Sequence, residues 1–138
     1  VKSMLVNVPV SDSEIQNPEP DRPNVSINDL LAQVRLDQSK GEAFISEKII
    51  LAMDNINDQT LLILIDTDRK IRYYKRAVCY EAAALIAEDN LDFDTTSAGQ
   101  IRGENQQVKT QALRRTVNYC IGSLVNEGKG KRNRVSLI

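Results

Sequence analysis

The 138-residue chain contains no histidine and no tryptophan, and it has only two phenylalanines. The missing histidine removes the commonest general base, the commonest metal ligand and the usual activator of a serine or cysteine nucleophile. The scarcity of large rings means that any core is built from Leu, Ile, Val and Ala. Cysteine is limited to Cys79 and Cys120, which have neither CxxC nor metal-ligand spacing. Two buried free thiols in a reducing compartment are the expectation. No apolar run approaches a membrane span, and no charged-then-apolar signal segment is visible. The chain is therefore expected to be made and used in cytosol, away from membranes. It starts on Val1 rather than Met, as a start further upstream or processing would leave it.

The length suits one domain with a modest core. Net charge is −1, but the halves differ. Residues 1–68 carry 12 acids and 5 bases, whereas residues 69–138 carry 7 acids and 13 bases. A free nucleic-acid binder usually shows a net basic footprint, and this chain is dipolar instead. The simplest account is that the halves neutralise each other within one fold.

All four prolines (Pro9, Pro18, Pro20, Pro23) fall in residues 1–25. The run NPEPDRPN cannot be helical, so residues 1–25 read as an extended arm, either loose or ordered on a neighbour. Residues 26–128 read as a bundle of about four helices. Ser26 and Asp29 form a capping-box pair for the first, which ends near Gln38–Gly41. The second runs from about Glu42 to Asn57, with Ile45, Ile49, Ala52, Met53 and Ile56 on one face. LLILI (Leu61–Ile65) is a buried strand or a helical turn. Asp66, Thr67 and Asp68 cap a third helix, about Arg69 to Asp89, with Ile71, Tyr74, Val78, Ala82 and Leu85 inward. The last helix spans about Gly103 to Glu127, with Val108, Ala112, Leu113, Val117, Cys120, Ile121, Leu124 and Val125 inward. Gly122 suggests close packing in that helix, where glycine costs about 1 kcal/mol against alanine. Residues 129–138 form a basic and then apolar tail. The fold class is all-α, and no internal repeat is present.

No site for chemistry emerges: catalytic residues, metal ligands and cofactors are all expected to be absent. GKGK (Gly128–Lys131) lacks phosphate-loop spacing. Asp89, Asp92 and Asp94 lack the pattern of a calcium loop. One feature departs from ordinary helix design. Arg69, Lys70, Arg72, Lys75 and Arg76 crowd the first two turns of the third helix, where cations oppose the macrodipole. They answer the acidic half of the same chain, an acidic neighbour or nucleic acid; otherwise they form a solvated face shielded by Asp66 and Asp68.

RYYKRAVCYEAAAL (Arg72–Leu85) is similar to the core segment of the head completion proteins of P2-like tailed phages, the L-protein family. Tyr73, Tyr74, Arg76, Ala77, Val78, Cys79 and Leu85 fall on matching positions. LRRTVNYCIGSLV (Leu113–Val125) keeps the family spacing through Leu113, Arg115, Val117, Ile121 and Leu124, and RNRVSLI (Arg132–Ile138) resembles its ending. Arg114 and Tyr119 stand where the family can carry Trp. The likeness covers residues 68–138; Arg35 to Gln38 echo it faintly.

The resemblance implies a non-enzymatic virion protein at the neck of the particle, present in host cytoplasm during assembly. Such adaptors join the portal protein after DNA packaging, form a ring of about twelve copies below it, help retain DNA and present the surface on which a tail terminator or neck protein docks. Two expectations follow for this chain. Arg69, Arg72, Lys75 and Arg76 lie at a subunit or portal interface, since cyclic rings use contacts between unlike faces. The tail residues Lys131, Arg132, Arg134, Val135, Leu137 and Ile138 form a docking peptide for the portal or an adjacent subunit, unless its bases make non-specific contacts with packaged DNA. The alternative function is a helical nucleic-acid-binding or regulatory module.

Overall fold

The computed structural model describes residues 14–36, 41–89 and 97–126, with side chains of the last helix from residue 107. Among them run two short strands, β1 (Glu14–Ile15) and β2 (Val25–Ser26), and four helices. These are α1 (Ile27–Gln33), α2 (Glu42–Gln59), α3 (Asp68–Asp89) and α4 (Ser97–Asn126). The architecture is the small all-α bundle that the helical periodicity predicts.

The capping box at α1 forms as expected. Ser26 Oγ accepts from the Asp29 N–H at 3.0 Å, and the Asp29 carboxylate accepts from the Ser26 N–H at 3.0 Å. The helix ends at Gln33, sooner than its polar continuation suggests, because Val34 is extended. Gly41, at φ +88°, turns the chain into α2 through a conformation that favours glycine. Ile45, Ile49, Ala52, Met53 and Ile56 are all buried, as their spacing requires. α2 runs two residues past Asn57, since Thr60 closes its end by donating to the Ile56 carbonyl at 2.7 Å.

Of the three residues expected to cap α3, Thr67 does so, accepting the Lys70 N–H at 3.2 Å. α3 packs on α2 and on α4, so it is buried around most of its circumference from Ala77 to Ala87. Small residues make this feasible: Ala77, Ala82, Ala83 and Ala84 let both neighbours approach. Tyr74 and Val78 are fully buried, while Ile71 and Leu85 pack at the margin of the core. α4 returns antiparallel, bringing Tyr119 to Tyr73 (ring centroids 6.4 Å apart) and Arg114 to Glu81 and Glu88. Val117, Cys120 and Leu124 are buried; Leu113 and Ile121 are half-buried.

Four expectations need correction. Residues 14–25, read as part of an extended arm, fold back on their own bundle: β1 pairs antiparallel with β2, Glu14 opposite Ser26. Val108 and Ala112 are exposed, because Val108 lies nine residues, two and a half turns, before Val117 and so on the opposite face of α4. Gly122 has no close neighbour; a Cβ placed there meets nothing within 4 Å. Finally, LLILI is neither a buried strand nor part of a helix. It forms a turn and a short link in which only Ile65 is buried and Leu62 is 98% exposed.

Candidate functional site: a basic groove on α3

Two polar regions flank the start of α3. The first is buried. Tyr74 donates its hydroxyl to Asn57 Oδ1, and the Asn57 amide donates to Asn17 Oδ1 at 3.0 Å. Asn17 closes the circuit by donating its amide to the Tyr74 hydroxyl at 2.7 Å and to the Pro23 carbonyl at 2.8 Å. Its Oδ1 also accepts the Glu19 N–H at 3.0 Å. All four hydrogen-bonding positions of the Asn17 amide are therefore used. Beside it, Arg22 donates to Thr60 Oγ1 at 2.7 Å, to the Thr60 carbonyl and to the Ile63 carbonyl at 3.1 Å. It stacks on the Tyr74 ring, 5.6 Å from the centroid. A cation at the carboxyl end of α2 suits the helix dipole. Burial pushes the Tyr74 hydroxyl above its ordinary pKa, with the Asn17 hydrogen bond and Arg22 pulling the other way.

The second region is the basic segment of α3. Arg69, Arg72, Tyr73, Lys75 and Arg76, with Gln33 of α1, line an open groove of about 410 Å³. All four residues expected at an interface on this helix thus share one surface. Their partners differ. Lys75 pairs with Asp29 of α1 at 3.7 Å. Arg69 lies 4.9 Å from the Tyr73 ring centroid, and Arg76 lies 4.8 Å from that of Tyr80. Cation–π contacts at exposed sites contribute about 0.5–1 kcal/mol each. Arg72 is exposed and has no ion-pair partner among the described residues. Lys70, outside the groove, pairs with Asp66 at 3.5 Å. Among the described residues, carboxylates thus answer Lys70 and Lys75, and Arg72 stays exposed in the groove without one.

The tail residues Lys131, Arg132, Arg134, Val135, Leu137 and Ile138 lie outside the described residues. The sequence reading missed the buried joint altogether. Asn17 and Arg22 sit in a proline-rich stretch without periodicity, and their partners lie 38 to 57 residues away. It also missed the Arg114 cluster, where Arg114 pairs with Glu88 at 3.1 Å and with the buried Glu81 at 3.6 Å. The Asn55 amide donates to the same Glu81 at 2.9 Å. Arg114 thus serves in an ion-pair cluster, and Tyr119 packs against Tyr73.

The thiols are unsuited to chemistry. Burial, helped by the Asp29 charge against the opposing Lys75, pushes Cys79 up to about 12. Burial also raises Cys120, against the pull of Arg76. Among the described residues no group of three or more acidic or cysteine side chains is placed to hold a metal, and no helix is long and apolar enough to cross a membrane. The chain matches no protein-family model, no curated protein and no solved structure.

Proposed function

We propose that this chain is a structural adaptor of the tailed-phage neck, a head completion protein that assembles as a ring on the portal and offers the surface for tail attachment. The observation that carries this reading is the basic lining of the open α3 groove, with Arg72 exposed in it. Arg72 is exposed and pairs with no carboxylate among the described residues, while Arg69 and Arg76 lie against the Tyr73 and Tyr80 rings of the same helix. A surface so arranged suits an acidic partner. The same chain carries acids in excess over its first 68 residues, so the acidic face of a neighbouring copy is a complementary partner in a ring of unlike contacts. The resemblance of residues 68–138 to the L-protein family adds to this reading, and so does the mainly helical architecture.

Negative-stain imaging of the purified chain, alone and with the portal protein of the same phage or prophage, tests the proposal. Rings that appear on portal support it, including when the chain alone is monomeric. No association with portal, together with tight binding to duplex DNA that weakens steeply with salt, overturns it in favour of a nucleic-acid-binding module.

A further inference from the structure

The link between α2 and α3 presents its hydrophobic residues to solvent. Leu61 is 70% exposed, Leu62 98% and Leu64 62%. Three neighbouring leucines form the kind of contiguous apolar patch that marks an interaction site rather than scattered surface hydrophobes. The patch is also held in place. Arg22 grips the Thr60 and Ile63 carbonyls from below, and the Ile63 N–H donates back to the Thr60 carbonyl at 3.1 Å. Asp58 precedes the patch, and Asp66 and Asp68 follow it; all three are exposed.

Residues 127–138 carry the complementary pattern: Lys129, Lys131, Arg132 and Arg134, then Val135, Leu137 and Ile138. They also depart from the same end of the bundle. Tyr119 meets Tyr73, and Arg76 lies close enough to Cys120 to act on its thiol. Continuing this antiparallel register puts Asn126, the last residue of α4, within about one helical turn of the start of α3, which is where the leucine link ends. The eight residues from 127 to 134 reach roughly 25 Å when extended, ample to carry Val135 to the link. The arginine groove repels the four tail bases, whereas Asp58, Asp66 and Asp68 attract them.

We infer that residues 129–138 dock on the Leu61–Leu64 link of their own chain, with Val135, Leu137 and Ile138 against the leucines and the bases against the flanking aspartates. The inference stands apart from the phage reading, since it concerns the isolated chain. Tethering raises the local concentration of the tail far above that of a second copy in dilute solution.

Trypsin and a disulfide trap test it together on the full chain. Leu62→Asp places a charge on an almost fully exposed side chain, so the fold persists, as circular dichroism will verify. Cleavage after Lys129, Lys131, Arg132 and Arg134 should accelerate about tenfold, the population change expected for loss of one buried leucine contact. In a separate variant carrying Leu64→Cys and Leu137→Cys, mild oxidation should yield an intrachain disulfide; the native thiols are buried and spectate. Unchanged tail cleavage overturns the proposal. So does acceleration confined to the site after Lys2, which would make the amino-terminal arm the occupant. Interchain dimers in dilute solution in place of the intrachain bond also overturn it and assign the patch to a second copy.

Discussion

Tyr73 and Tyr74 are neighbours in the chain and belong to opposite designs. Tyr74 joins Asn17, Asn57, Arg22 and Thr60 in a buried joint where every polar atom that meets another is hydrogen-bonded. Tyr73 lies in an open groove lined by the bases Arg69, Arg72, Lys75 and Arg76. The joint contains one cation and satisfies it with a hydroxyl and carbonyls. The groove gathers four, of which Lys75 pairs with Asp29 and Arg72 stays exposed with no ion pair among the described residues. A buried polar group without a partner costs about 1–3 kcal/mol, so the joint must be complete for the chain to fold. An exposed guanidinium costs little, so the groove can await a partner from outside.

The comparison predicts a graded set of effects. Asn17→Ala should be the most damaging, lowering stability by about 3 kcal/mol, because it leaves Tyr74, Asn57 and the Pro23 carbonyl without their partner. Tyr74→Phe should cost less, about 2 kcal/mol, since only the hydroxyl goes. Urea unfolding measures both, and an Asn17→Ala protein as stable as the parent would mean that the joint is decorative.

Alkaline pH probes the same interior. Cys79, Cys120 and Tyr74 all have raised pKa values, mainly through burial. The unfolded chain then releases these protons at lower pH than the folded one. Stability is full below pH 9.0, the ordinary thiol value, and falls as pH climbs from there toward 12. Each group contributes a slope of up to about 1.4 kcal/mol per pH unit where only the unfolded form is ionised. Stability that stays flat from pH 9 to 11 would contradict the burial of the thiols.

Gly122 tests the packing of α4 on a smaller scale. With open space around the missing Cβ, Gly122→Ala should raise stability by about 1 kcal/mol, measured as an increase in Tm. A loss would restore the close packing that the sequence suggested.

The helices were legible because a stripe at three- and four-residue spacing has one physical solution. Ile45, Ile49, Met53 and Ile56 must share a face, and that face must be covered. The capping box was legible for the same local reason. Val108 shows where a list of apolar residues outruns the geometry, since among the described residues of α4 it is Val117, Cys120, Ile121 and Leu124 that face the core. The joint was hidden because hydrogen bonds between Asn17 and residues 40 and 57 positions away leave no period in the sequence. LLILI misled because composition argues for burial, whereas a link held by Arg22 turns three leucines outward. The groove was half legible: helix-dipole logic singled out its bases, and only the fold distinguished Lys75, paired with Asp29, from Arg72.

The central proposal is that Arg72, exposed in the groove, serves a partner and not the fold. The most direct measurement compares the parent with Arg72→Glu for thermal stability and for association with the portal protein by size-exclusion chromatography and negative-stain imaging. The account predicts a change in stability of no more than about 0.5 kcal/mol, as for other surface positions, with loss of ring formation on portal. Intact rings with this variant, or unfolding of the variant before any partner is added, would contradict it.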